Sequence, residues 1–140
     1  MVLIGPAATF RQIMPFYFHT FPGGMTGWSI FVRHAVNWVE NGVSFDPDFK
    51  KLFFLLLKYG KATNQVFPTV FSDEQLKSVN VPTLLIYGDR ENIYDCSLAL
   101  SRARQLIKNL SVRIIKNGNH ITAATNYESV NNEIIDFLKI

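Results

Sequence analysis

His120 and Glu91 are the side chains of this chain best placed, by type and position, to move a proton. Each lies just past an apolar run that ends in a glycine. PTLLIYGDRENIYD, from Pro82 to Asp95, carries the acid, and VRIIKNGNH, from Val112 to His120, carries the histidine. Imidazole titrates near neutrality and can take and return a proton at working pH. A carboxylate beside it fixes the tautomer and steadies the imidazolium. Glu91 sits at the crest of its loop and is the favoured acid. Asp95 is the alternative, with a competing role as a helix cap, and Asp89 lies too close to the end of the apolar run. Such an orienter–base pair needs a nucleophile, and none is evident here. Ser29, in Gly27-Trp28-Ser29-Ile30-Phe31, has no strand leading into it. It reads as a helix-start residue. Cys96 lies beside Asp95, and a thiol at a helix start is usually packed there.

The elements that must position these residues follow from hydrophobic patterning. Val2 to Ile4 reads as a short strand stopped by Gly5-Pro6. Thr83 to Tyr87 is a run without alternation, the mark of a strand covered on both faces. Val112 to Ile115 is a third strand. Helices are expected over about 28–40, closed by Asn41-Gly42, and over 47–59, with Asp46 as N-cap and Pro47 in the first turn. Ser72 with Gln75 forms a capping box. A helix over 97–108 follows Asp95, and a last helix is capped by Asn126 or Ser129, with Val130, Ile134, Phe137 and Leu138 inward. Pro22-Gly23-Gly24 reads as loop punctuation. The block Leu52 to Leu57, apolar on all sides, predicts a helix packed on both faces or lining an apolar cavity. Strand, long helical stretch, strand, helix, strand, helix is an α/β order, and right-handed crossovers make the three strands parallel.

Composition bounds the rest. The chain has 140 residues, 48% of them hydrophobic, with a net charge of only +3. That suits one globular unit with a core. Lys50, Lys51, Lys58 and Lys61 form the densest basic group and read as the wet edge of a helix, so no nucleic-acid partner and no membrane is expected. A single cysteine, Cys96, permits no internal disulfide and fits a reducing compartment. No basic n-region precedes the first apolar run, and no apolar block approaches the roughly 20 residues of a membrane helix, so a cytoplasmic protein is expected. His19, His34 and Cys96 lack metal-ligand spacing, and no phosphate loop or dinucleotide fingerprint occurs, so neither metal nor cofactor is expected.

The two motifs together resemble the last part of an α/β-hydrolase fold enzyme. That family typically shows P-T-L-x-x-x-G-x-x-[DE], then a strand ending in G-x-x-H or G-x-H. Pro82, Thr83, Gly88 and Glu91 match the first pattern, with glutamate where aspartate is more usual. Gly118 and His120 match the second. VLIGPAATF is similar to the sixth strand and its exit, and Arg11 to Asn80 looks like a helical cap inserted before the seventh. The resemblance covers nearly all of the chain. It implies residues 1–8 and 79–140 as core sheet and helices, with 9–78 as the cap. It also implies an esterase- or lipase-like activity in a complete enzyme, in which His120 is the base and Glu91 its orienter.

The family's serine elbow and oxyanion loop belong to a half that would precede Met1, so the chain is expected to be inactive alone. Eleven of its twelve phenylalanines lie between Phe10 and Phe71. An apolar ester pocket including Phe53, Phe54 and Leu57 would suit them. A strand opening the chain is unusual, since termini are normally polar and frayed, and it suggests a preceding half. An unpaired apolar edge at Val2 to Ile4 would template another chain. The expected partner is therefore a second copy or a polypeptide carrying the complementary N-terminal half. The alternative function is a non-catalytic, self-associating or partner-binding relic of the fold.

Overall fold

The computed structural model describes residues 1–60 and 68–139. Three strands, β1 (Val2–Ile4), β2 (Thr83–Gly88) and β3 (Leu110–Ile115), form a parallel sheet in the order β1-β2-β3. Leu3 faces Leu85 across one ladder, and Leu85 faces Val112 across the other. The central strand β2 is buried along its whole length because both faces are covered. Leu85 and Tyr87 enter one core cluster with Phe10, Ile13, Leu76, Ala99 and Ala103. Leu84 and Ile86 enter a second with Ile115 and Val130. Each fully buried Leu or Ile contributes about 1.5–3 kcal/mol against exposure, so β2 is the anchor of the sheet.

Two helices clamp that strand. Helix α5 (Cys96–Leu106) presents Ala99, Ala103 and Leu106 to the first cluster, and Arg102 ties it outward to Asp73, at 2.6 Å, and to the Phe10 carbonyl. Helix α7 (Tyr127–Leu138) covers the opposite face through Val130, Ile134 and Phe137. Leu138, expected inward, is 68% exposed because it lies at the last residue of α7, beyond the sheet's cover. Asn126 holds the N-cap position of α7 without a side-chain capping bond, and Ser129 falls inside the helix. The Asn126 Oδ1 instead accepts from the hydroxyl of Thr125, at the end of the one-turn helix α6 (Thr122–Thr125).

Between β1 and β2 lie α1 (Met14–Thr26), α2 (Ser29–Glu40), α3 (Pro47–Tyr59) and the short α4 (Asp73–Lys77). The capping box of α4 is formed: Ser72 Oγ accepts from the Gln75 N–H, and Gln75 Oε1 accepts from the Ser72 N–H at 2.8 Å. Ser72→Ala should therefore cost about 1 kcal/mol, measured as a shift in the urea midpoint. An unchanged midpoint would show that Leu76 alone holds α4. Asp46 caps α3 by accepting from the Asp48 and Phe49 N–H groups.

Two expectations fail here. Pro22-Gly23-Gly24 is not a loop but the last part of α1, with Pro22 inside the helix. A Cβ on Gly23 would lie 3.1 Å from the backbone nitrogen of Val32, so this glycine serves close approach of α1 to α2. The true stop is Gly27, left-handed at φ +62°, whose N–H closes on the Gly23 carbonyl. The apolar block of α3 is not packed on all sides either. None of its residues is buried, and Leu52 and Leu56 are 64% and 61% exposed. Only Phe53, Phe54 and Leu57 face α2, where Val36, Val39 and Phe45 form the local cluster. Lys58 donates to Ser29 Oγ and Lys50 pairs with Glu40, while Lys61 lies outside the described residues. Among the described residues no helix is long and apolar enough to cross a membrane.

Candidate active site

The carboxyl ends of all three strands meet around His120. At the end of β2, Gly88 lies against Gly118, so closely that a Cβ on Gly88 would sit 2.0 Å from the Gly118 carbonyl oxygen. The two loops are stitched there through backbone bonds, from the Arg90 N–H to the Gly118 oxygen at 2.8 Å and from the Asp89 N–H to the Ile115 oxygen at 3.0 Å. Past β1, Gly5 turns at φ +48°, and a Cβ there would lie 2.7 Å from the His120 carbonyl oxygen. Glycine is required at Gly5 for both reasons, since its backbone is left-handed and a carbonyl presses against it.

This framework brings Glu91 and His120 together. Glu91 Oε2 lies 2.6 Å from His120 Nδ1, with the glutamate side chain 1% exposed and the histidine 17%. The second oxygen, Oε1, accepts from the Ile93 N–H at 2.8 Å, so the carboxylate cannot rotate freely. A carboxylate only accepts, so Nδ1 carries the proton and donates, which leaves Nε2 of the neutral ring with its lone pair. Among the described residues no hydrogen bond engages Nε2. Tyr94 sets its ring edge-on to the imidazole, with centroids 6.2 Å apart. Burial, with the Glu91 charge second, raises the Tyr94 hydroxyl well above the ordinary phenol range, so it stays protonated.

The competing residues are otherwise engaged. Asp95 is the N-cap of α5, accepting from the Leu98 N–H at 3.0 Å and from the Ser97 hydroxyl at 2.8 Å. Those bonds hold its carboxyl below the usual range. Asp89 lies exposed at the strand end. Burial, reinforced by the Glu91 charge, pushes the Cys96 thiol up to about 12, so it is not a thiolate at neutral pH. Ser29 opens α2, whose far end carries the turn that touches the histidine loop. At 1.5 Å per residue the two ends stand about 16 Å apart, and Ser29 Oγ accepts from Lys58 Nζ at 2.9 Å. Phe53, Phe54 and Leu57 pack half-buried on α2 in a cluster that also includes Ile121, the neighbour of His120. Phe54 further borders a groove of about 360 Å³ with Arg33, Asn37 and Lys51. Among the described residues no three His, Cys, Asp or Glu side chains converge as a metal site. His19 and His34 form a pair at 2.9 Å, with His19 stacked on Trp38.

No family model matches the chain. Among curated proteins it is 32% identical to the uncharacterized carboxylesterase nap of Bacillus subtilis (strain 168) over 144 aligned residues, covering 96% of this chain and 47% of that protein. It is 38% identical to carboxylesterase YbfK of the same organism over 78 residues, 56% of this chain and 26% of the relative. The crystal structure of carboxylesterase CesB (YbfK) from Bacillus subtilis superimposes with a TM-score of 0.80 at 28% identity, over 98% of this chain and 50% of that one. Naproxen esterase from the same organism gives 0.79 at 29%, with the same coverage. Its homologues are carboxylesterases of the α/β-hydrolase fold, and its own fold is that of a portion of such an enzyme. The chain spans about half or less of the length of the curated relatives it matches.

Within an α/β-hydrolase, three parallel strands with helices on both faces fit the C-terminal portion of the sheet. Several residues that shape this site carry no signal in the sequence as chemistry. Gly5 reads there only as a strand stop. Tyr94, Arg90, Asn92 and Asn119 read as loop residues. Asn119 is fully buried, with Nδ2 donating to the Glu40 carbonyl at 3.2 Å and Oδ1 accepting from the Ile121 N–H at 3.1 Å. A buried asparagine directly before the histidine is its one hint, and its partners lie some eighty positions away. Asn92 donates to the Trp38 carbonyl, while its Oδ1 is buried with no partner among the described residues. An orphaned buried acceptor costs about 1–3 kcal/mol, against about 1 kcal/mol gained by a neutral hydrogen bond.

Proposed function

We propose that this chain supplies the acid and base of an esterase-like serine hydrolase and is inactive by itself. The observation that carries the reading is the 2.6 Å contact between His120 Nδ1 and the buried Glu91 carboxylate, with Nε2 unengaged among the described residues. In the complete enzyme a serine from the first half of the fold gives its hydroxyl proton to His120 Nε2 as its oxygen attacks the ester carbonyl carbon. His120 returns that proton to the departing alcohol oxygen, leaving an acyl-serine. It then takes a proton from water as the water oxygen attacks the acyl carbon, and gives it back to the serine oxygen as the acid leaves. Glu91 acts through His120, holding the productive tautomer and facing the imidazolium that forms. A charge-assisted bond of this kind is roughly twice as strong as a neutral one.

The substrate class in this reading is an uncharged ester with an apolar acyl or aromatic group. The relatives are named as carboxylesterases, one of them a naproxen esterase. Phe53, Phe54 and Leu57, in one cluster with Ile121, form the apolar side of the pocket. The single thiol, Cys96, fits work in the reducing cytoplasm.

The missing half, or a second copy of this chain, would seat against β1. Gly5 N–H donates to the Ile86 carbonyl and Leu84 N–H donates to the Met1 carbonyl, so the odd residues of β1 bond to β2. The N–H and C=O groups of Val2 and Ile4 therefore face an edge with no strand beside it among the described residues. Such an edge recruits a strand.

The test joins the first half of carboxylesterase nap to this chain in one polypeptide and measures hydrolysis of p-nitrophenyl butyrate. The folded chimera is expected to turn over the ester, and the chain alone is not. A folded chimera whose rate is indifferent to His120→Ala would overturn the assignment of the base.

A further inference from the structure

We infer that the end of α2 and the turn that follows it, residues 38–43, are the positioning element of the acid–base pair, with Arg90, Asn92 and Asn119 as the positioning residues that couple the helical stretch to Glu91 and His120. This rests on the reading of that pair given above.

A helix ends with four carbonyls that its own backbone cannot satisfy. At the end of α2 and in the turn that follows it, the two site loops supply donors. Asn92 Nδ2 donates to the Trp38 carbonyl, Asn119 Nδ2 to the Glu40 carbonyl at 3.2 Å, and Arg90 Nη1 to the Gly42 carbonyl at 3.1 Å. One bond runs the other way, from Asn41 Nδ2 to the Arg90 carbonyl at 2.8 Å. Arg90 Nη2 also reaches Asn117 Oδ1 at 3.1 Å and so bridges the acid loop to the histidine loop.

The placement of these bonds is what gives them meaning. Glu91 lies between Arg90 and Asn92, and both of its neighbours are pinned to α2. His120 directly follows Asn119, which is pinned to the same turn. The turn is itself fixed: the buried Glu40 carboxylate accepts from the Phe45 N–H at 3.0 Å and from Lys50 Nζ at 2.6 Å, which binds it to α3. Withdrawing α2 would remove donors' partners from both loops at once. The pair is then assembled only while the helical stretch is seated, and a displacement near 1 Å can cost on the order of 100-fold in rate.

The experiment follows the His120 Nδ1–H proton by NMR in the full chain. In the parent it should appear far downfield and exchange slowly, since Glu91 holds it. Asn92→Leu removes the bond to Trp38 together with the orphaned oxygen. Asn41→Gly removes the bond to Arg90 while keeping the left-handed backbone, at φ +44°, that glycine adopts freely. Both variants are expected to exchange the proton about tenfold faster or more. Exchange within about twofold of the parent in both variants would overturn the inference. Glu91→Gln separates the two levels. If it leaves the resonance unchanged, or if the parent shows no such resonance, the acid–base reading itself fails. If it abolishes the resonance while Asn92→Leu and Asn41→Gly do not move it, only the positioning role fails.

Discussion

Gly88→Ala should strongly destabilise the site and the sheet that carries it. The added methyl would sit 2.0 Å from the Gly118 carbonyl oxygen and 2.8 Å from the Asn119 nitrogen. Both are backbone atoms, so no side-chain rotation relieves the overlap. The histidine loop cannot retreat without breaking the bonds from the Arg90 and Asp89 N–H groups that stitch it to β2. Gly118 is in turn pressed by Thr122 Oγ1, which a Cβ there would meet at 2.6 Å. Overpacking usually costs 1–3 kcal/mol, and here the neighbours cannot yield, so a loss of about 3 kcal/mol or more is expected. Against a total of roughly 5–15 kcal/mol for a domain, that is a large share. Urea unfolding followed by circular dichroism reads it. A midpoint within about 0.5 kcal/mol of the parent would mean the two loops do not meet as described.

The second large effect is on chemistry. In the chimera with the first half of carboxylesterase nap, His120→Ala is expected to lower kcat for p-nitrophenyl butyrate by about 10⁴-fold, since the group that accepts the serine proton is removed. Glu91→Gln should lower kcat by about 10²- to 10⁴-fold with KM little changed. The neutral amide still fills the site and bonds the Ile93 N–H, but it neither fixes the tautomer nor faces the imidazolium with a charge. Asp95→Asn is the contrast. Its carboxylate caps α5 through the Leu98 N–H, and an asparagine oxygen can make the same bond, so kcat should stay within about twofold of the parent. A larger loss at Asp95 than at Glu91 would exchange their roles.

What the sequence made legible follows the range of the forces involved. β2 was readable because burial on both faces demands an unbroken apolar run, and Leu84 to Tyr87 write that demand into adjacent letters. The capping box at Ser72 and the cap at Asp95 were readable because their partners lie three residues away. The same holds for the turn at Gly118. Helix α1 was misread because proline and glycine punctuate chains locally, whereas Gly23 answers to Val32 on another helix. The apolar face of α3 was misread because composition says what a helix could bury, not what stands beside it. Leu52 and Leu56 remain exposed. At the site, Glu91 and His120 were visible as residue types at strand ends. Arg90, Asn92 and Asn119 were not, because what distinguishes them is three carbonyls at the end of α2 and in the turn that follows it, about fifty to eighty positions away.

On the proposed function, this chain holds an acid and a base without their nucleophile. Intact-mass spectrometry of the purified chain after exposure to a fluorophosphonate, which tags activated serines, tests it most directly. No adduct is expected, because Ser29 stands at the far end of α2 with its hydroxyl held by Lys58. A stoichiometric adduct on Ser29, lost on His120→Ala, would contradict it and make the chain a self-sufficient hydrolase.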